Sequence, residues 1–378
     1  MKKVLITGSN GFIGQNLFFY LSEKKEITIT CFTRKNKINE LVELLTNIDF
    51  VFHLAGTNRS FNKNDFNEDN YQLTKALCEA ITVVYRNTGR KISILFTSTI
   101  MAKDATHYGK SKLNAENLIK DLQKDLHIET YIFRLPNVFG KWCKPDYNSV
   151  VATFCHNIAN DLPIEIHDPL AILKLIYIDD LVSIFFKILI NDGINSKRKL
   201  FFKVEPVYEI SIGKLAEIIY SFKQSRTNLI LDSVGSGLSR ALYSTYVSNL
   251  PSNLFSYEIP KYSDSRGFFS EILKTQTCGQ FSFFTLNPNK TRGGHYHHTK
   301  TEKFIVLKGK ALFRFRNVRT NDFFEIITSE KFTRVIETIP GWAHDITNIG
   351  TDEMIVALWA NEIFEFTKQD TYSYPLID

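Results

Sequence analysis

Near residue 240 the hydrophobic pattern of this 378-residue chain changes, and one core cannot serve both halves of it. Before that point short apolar runs alternate with helical periods. Val4-Leu5-Ile6 and the runs 27–32, 49–54, 92–96 and 131–133 read as strands buried on both faces, and 12–22, 66–87 and 108–124 read as helices. Ser211 is placed as the N-cap of a last helix, Ile212 to Phe222. Strand, helix, strand in repetition predicts a doubly wound α/β parallel sheet wrapped on both sides by helices. A turn-rich stretch, 232–237, and a Tyr/Ser-rich segment ending at Leu250-Pro251 follow. Beyond them the runs 268–273, 281–286, 304–308, 311–315, 323–328 and 355–359 are close-spaced strands split by Gly, Pro and Asn, which predicts an all-β sandwich or barrel. The boundary falls near 243–252, giving domains 1–246 and 247–378.

With 44% hydrophobic and 23% charged residues, each half has the material for a core. The net charge of +6 is scattered, with no basic arm or interleaved aromatics, so nucleic acid is not an expected partner. Met1-Lys2-Lys3 begins like a signal peptide, but its apolar run stops at Thr7-Gly8. No run approaches the roughly 18 apolar residues of a membrane helix. The five cysteines are widely spaced and form no CxxC pair, as expected of reduced thiols in the cytoplasm.

Gly8-Ser9-Asn10-Gly11-Phe12-Ile13-Gly14 stands between a strand and an amphipathic helix. Gly8 permits the tight turn, Gly11 lets backbone approach a diphosphate, and Gly14 lets the helix pack close to the sheet. From Ile27 to Asn39 there is no carboxylate to accept from a ribose 2′-hydroxyl, whereas Arg34, Lys35 and Lys37 suit a 2′-phosphate; the expected cofactor is NADPH. Tyr108 and Lys112, four residues apart, share a helix face. The ammonium is expected to lower the phenol pKa, so that Tyr108 protonates a ketone oxygen as hydride arrives. Thr99, or its neighbour Ser98, supplies a hydroxyl to hold that oxygen.

These residues, with His53-Leu54-Ala55-Gly56, Asn70, Arg134-Leu135-Pro136-Asn137-Val138-Phe139-Gly140 and Asp179-Asp180, resemble the extended short-chain dehydrogenase/reductase family, whose members are Rossmann-type enzymes, many acting on nucleotide sugars. The resemblance implies that Thr7, Gly8, Asn10, Gly11, Phe12, Ile13, Gly14, Leu54, Ala55, Gly56, Tyr108 and Lys112 contact the dinucleotide, while Arg134 and Asn137 line the sugar pocket. Only eight residues separate Thr99 from Tyr108, fewer than in many relatives, which implies a more open pocket.

In the second half His295 and His297 stand at i, i+2, and on a strand both imidazoles face one way. With Glu302 and His344 they make a three-histidine, one-carboxylate set for a divalent ion, Zn expected, with Fe, Mn or Ni compatible. Together with Gly309, Pro340 and Asn348 the set resembles the cupin signature. His298 is spare, and His53, His107, His127, His156 and His167 read as structural.

Asp264 to Glu271 and Arg292-Gly293-Gly294-His295-Tyr296 also resemble the metal-free deoxysugar 3,5-epimerases, which implies substrate contacts for Arg266, Glu271 and Arg292. There the histidine matching His295 would be the base. Its companions His297, Glu302 and His344 favour ligation instead, leaving the base unassigned. Across nearly the whole length, Leu242 to Tyr246 included, the chain resembles the bifunctional capsular-polysaccharide and O-antigen enzymes. That resemblance implies a UDP-linked 2-acetamido-2,6-dideoxy-4-hexulose substrate, epimerised at C3 by the cupin domain and reduced at C4 with NADPH to the L-talo sugar, a precursor of UDP-N-acetyl-L-fucosamine. It also implies a homodimer. The alternative is a monofunctional reductase whose cupin domain serves assembly or sugar binding.

Overall fold

The buried strands of the first half form a six-stranded, all-parallel sheet in the order Ile27–Phe32, Lys2–Thr7, Phe50–His53, Ser93–Thr99, Thr130–Leu135, Phe201–Phe202. The computed structural model describes residues 1–59, 62–190, 200–364 and 370–376. They fall into two compact units, Met1–Ile219 with Ala241–Leu250, and Tyr220–Arg240 with Pro251–Asp378.

From Lys2–Thr7 the chain steps one way to Ile27–Phe32, then returns and proceeds the other way from Phe50–His53. The connections diverge there, opening a crevice at the carboxyl ends of the strands, where such sheets bind ligands. On one face Leu5, Val51, Ile94, Phe96 and Ile132 pack against Leu77, Ile81 and Val84 of helix Leu73–Thr88 and Ala115, Ile119 and Leu122 of helix His107–Leu126. On the other, Phe52 and Phe133 meet Phe185 of helix Ile178–Leu189. Each large apolar side chain so buried contributes about 1.5–3 kcal/mol.

The long helix expected over 66–87 is broken in its winding: Lys63–Phe66, a π-helical turn Asn67–Gln72, then Leu73–Thr88. Ser211 does cap its helix, accepting from Lys214 N–H at 3.3 Å, but the helix runs on to Asn228. The Tyr/Ser-rich segment holds a helix the composition concealed, Gly237–Ser248, whose Ala241, Leu242, Thr245 and Tyr246 form one buried stripe.

The second unit contains two antiparallel sheets. One runs Tyr262–Asp264, Gly267–Thr275, Gly279–Leu286, Met354–Ala360, Glu302–Lys308, Ile336–Glu337. The other runs Phe323–Ser329, Lys310–Asn317, Trp342–Asn348, Thr291–Tyr296, Tyr372–Ser373. Phe284, Phe304, Val306, Phe313, Ile346 and Val356 fill the space between them. Strands Thr291–Tyr296 and Trp342–Asn348 fall outside the apolar runs read as strands, because their inward residues include histidines, and the strand expected to carry both His295 and His297 ends at Tyr296.

Candidate active site and metal centre

Thr7 ends its strand fully buried, and its hydroxyl accepts from Ala55 N–H at 3.2 Å and meets His53 Nδ1 at 2.7 Å. His53 Nε2 lies 2.8 Å from the Thr74 hydroxyl. Burial first, then the charge of Lys112, pushes His53 down to about 3, so it is a neutral bracket between the strand ends. Gly8 has φ +72°, and a Cβ there would lie 2.7 Å from Ala55 backbone; at Gly14 a Cβ would sit 2.1 Å from the Gly8 carbonyl. Only glycine fits either position. Helix Phe12–Ser22 starts at Gly11 with no side-chain cap, which leaves its first N–H groups for an anion. Beside this loop lies a cavity of about 550 Å³, bounded by Ser9, Asn10, Thr33 and Trp142 among others. Loop, uncapped helix and cavity fit a dinucleotide.

Arg34 follows strand Ile27–Phe32 and is exposed, with Nη2 3.0 Å from Asp69 Oδ2. Asp69 also accepts from the Thr57 hydroxyl. In the π-helical turn, buried Asn70 accepts from Thr57 N–H at 3.0 Å and donates to Thr57 O at 2.9 Å and Ser111 Oγ at 3.1 Å. It thereby ties the loop after Gly56 to the helix of Tyr108.

That helix, His107–Leu126, is capped by Thr106, whose hydroxyl accepts from Gly109 N–H at 3.0 Å. Tyr108, Lys112 and Glu116 follow at four-residue spacing along one face. Lys112 is buried, its Nζ donating to Thr97 O at 3.0 Å and lying 5.0 Å above the Phe96 ring. Burial lowers its pKa to about 8, against an opposing pull from Glu116. Tyr108 departs from expectation: burial raises its pKa, and the hydrogen bond with Thr99, rather than the Lys112 ammonium, is what draws it back down. Ser98 and Thr99 are now distinguishable, since Ser98 Oγ donates to Glu116 Oε1 at 2.6 Å while Thr99 pairs with Tyr108.

Arg134 has a partner that the sequence did not reveal. Its Nε and Nη2 donate to Glu116 Oε1 and Oε2 at 2.9 and 2.7 Å, and its guanidinium stacks 4.7 Å from Phe201. Arg134 is thus the bidentate charge partner of buried Glu116, whose charge also acts on Lys112. Asn137 opens the short strand Asn137–Phe139 and is exposed. Glu116 escaped the sequence reading, although its position four residues beyond Lys112 was a visible signal.

In the barrel, a bulge between Gly293 and His295 sets His295 opposite His344 on paired strands. Glu302 opens strand Glu302–Lys308, and His297 follows the end of strand Thr291–Tyr296. One donor atom from each of His295, His297, Glu302 and His344 lies within 4.8 Å of all the others. His297 Nε2 is 3.4 Å from Glu302 Oε2, is buried and makes no hydrogen bond among the described residues, while its Nδ1–H donates to the Asp370 carbonyl. His344 Nε2 is 3.2 Å from Glu302 Oε2, and Lys300 Nζ 3.3 Å from Oε1. Burial works to raise the Glu302 pKa, but His297, His344 and Lys300 outweigh it and hold the carboxyl well below its usual range. Burial, then His344, lowers His295 to about 4, leaving the neutral imidazole that ligates metals. Three imidazoles, one carboxylate and an orphaned buried nitrogen fit a divalent cation.

Arg266 is held by Asp264, with Nη2 to Oδ2 at 2.6 Å, and Arg292 Nη2 stands 3.6 Å from Asp264 Oδ1, its Nε and Nη2 buried without a hydrogen bond among the described residues. Glu271 pairs with Lys274 at 2.8 Å. The sequence reading brought these three residues to the barrel, but Asp264 and Lys274 as their partners were not foreseen.

A nucleotide loop with a Tyr/Lys/Thr group, on a switched parallel sheet, defines a nicotinamide-dependent enzyme class. The chain belongs to the NAD dependent epimerase/dehydratase family, which residues 4–199 match, and residues 262–372 match the polysaccharide biosynthesis C-terminal domain. It is 53% identical, over 98% of both chains, to the UDP-2-acetamido-2,6-beta-L-arabino-hexul-4-ose reductase of Pseudomonas aeruginosa. Among solved structures, the capsular polysaccharide assembling protein CapF of Staphylococcus aureus is 37% identical and superposes with a TM-score of 0.89 over 99% of this chain and 100% of that one. The UDP-glucuronic acid 4-epimerase of Bacillus cereus, 20% identical with a TM-score of 0.55 over 67% of this chain and 100% of its own, shares the fold.

Proposed function

We propose that this chain is a bifunctional nucleotide-sugar enzyme of capsular polysaccharide or O-antigen precursor synthesis, with a reductase in 1–246 and a C3 epimerase in 247–378. The carrying observation is the 53% identity, over 98% of both chains, to a protein named UDP-2-acetamido-2,6-beta-L-arabino-hexul-4-ose reductase. NADPH, when bound, supplies the hydride that reaches C4. Thr99 orients the ketone oxygen, and Tyr108 donates the proton that turns it into a hydroxyl. Lys112 then stabilises the phenolate, a role that needs its ammonium form and a dry site. Arg34 recognises the 2′-phosphate, the basic side chain at the strand end supporting NADPH.

In the barrel His295, His297, Glu302 and His344 hold a divalent cation, with zinc the reading their chemistry favours. When bound it supplies Lewis acidity, which favours the enolate left by removal of the C3 hydrogen. Arg266 and Arg292 suit the diphosphate, and Glu271 the sugar. We place the enzyme in the cytoplasm as a homodimer. Free Cys31, Cys78, Cys143, Cys155 and Cys278 support the first, and exposed Phe323, Phe324 and Ile327 on a sheet-edge strand support the second.

The test is incubation with UDP-2-acetamido-2,6-dideoxy-β-L-arabino-4-hexulose in deuterated water, with and without NADPH. Deuterium at C3 without NADPH, followed by NADPH consumption to the talo sugar, is expected. NADPH consumption without C3 exchange would reduce the barrel to an assembly or binding module.

A further inference from the structure

We propose that the segment Asp370–Leu376 is a latch that assembles the metal centre, with Asp370 as its positioning residue. The proposal rests on the metal reading above and adds to it a part that touches neither ion nor sugar. The segment reaches the ligand strand by backbone: Ser373 pairs with His295, Tyr372 pairs with Tyr296, and Tyr374 N–H donates to Gly294 O at 2.7 Å. Side chains repeat the attachment, with the Tyr372 ring stacked 5.4 Å from Tyr296 and edge-on 4.8 Å from His298.

Asp370 holds the turn that joins two ligands. Its carboxylate accepts from the backbone N–H groups of His298 at 2.9 Å, Thr299 at 2.7 Å and Lys300 at 2.9 Å, and from the Thr299 hydroxyl at 3.1 Å. Three successive N–H groups converging on one anion form a nest, a strong local constraint on backbone direction. That turn begins at His297 and delivers the chain to Glu302. The carbonyl of the same Asp370 takes the His297 Nδ1–H, which fixes the ring and leaves Nε2, the orphaned nitrogen, facing the other donors. One residue thus sets both the tautomer of a ligand and the path to the next one.

The experiment compares the full chain with D370A and with D370N, which keeps the volume and one acceptor oxygen. Zinc affinity is read by competition with a chelator, the His297 tautomer by ¹⁵N NMR of the metal-free protein, and integrity by NADPH binding, expected to stay unchanged. The Asp370 carbonyl survives both substitutions, so the effect runs through loss of the carboxylate nest, which lets the segment and its carbonyl move off His297: zinc binding is expected to weaken about 10–100-fold in D370A, less in D370N, and the fixed Nδ1–H form to be released. Wild-type zinc affinity and an unmoved tautomer in both variants would overturn the latch while leaving the metal centre standing. Failure of the unaltered chain to bind zinc or cobalt would overturn the metal reading, and the latch with it.

Discussion

In the first unit the dinucleotide loop is made of backbone, with Gly8 and Gly14 so close to their neighbours that no added carbon is tolerated. In the barrel the candidate metal site is made of side chains, four donors drawn from positions 295 to 344 and within 4.8 Å of each other. A backbone site is secured by what its residues lack, and its sensitivity lies in volume. A side-chain site is secured by what its residues carry and by whatever aims them, so its sensitivity extends to partners such as Asp370.

The sharpest way to break this comparison is reciprocal mutation. Y108F is expected to lower the reductase rate about 10²–10⁴-fold while C3 exchange in deuterated water continues. H344A is expected to abolish exchange while reduction of pre-epimerised ketone persists. If both activities fall together in either variant, the two sites are not independent. A smaller effect is expected from pH. The Lys112 pKa lies at about 8, below the ordinary value of about 10.4, so its ammonium form is lost as pH rises through that point and the reductase rate falls on the alkaline side. Glu116 acts to raise that pKa; E116Q should therefore move the alkaline limb to lower pH, and a limb that stays in place would exclude Lys112 as its source. The smallest effect belongs to the exposed Arg34–Asp69 pair. Such pairs contribute about 0–1 kcal/mol, so D69N should free Arg34 and improve the KM for NADPH by a few-fold, leaving NADH unchanged; R34A should erase the preference.

The same contrast explains what could be read from residues alone. The glycine loop and Tyr108 with Lys112 could be read from spacing set beside a strand and a helix, whereas the His295–His344 set was read through its resemblance to the cupin signature. The parallel sheet was legible because its strands are apolar on both faces. Strands Thr291–Tyr296 and Trp342–Asn348 do not stand out as apolar runs because imidazoles replace part of the alternation, and only the His295–His297 spacing pointed to the first of them. The Arg134–Glu116 pair was not legible because a motif position does not reveal that a carboxylate 18 residues away takes two of the guanidinium's donors. Asp370 had no local signal, since its partners lie some 70 residues earlier.

The π-helical turn Asn67–Gln72 has a consequence for how this protein can change. A regular helix advances about 100° per residue, and the widened turn absorbs that much extra chain. Deleting a single residue there would restore ordinary winding and swing Asn70 off Thr57 and Ser111, even though every remaining side chain is retained. Point substitutions near Asn70 test its chemistry, whereas a deletion tests its phase. At this turn the irregular winding is what aims Asn70 at Thr57 and Ser111, so a change that regularised the helix would cost the loop after Gly56 its anchor.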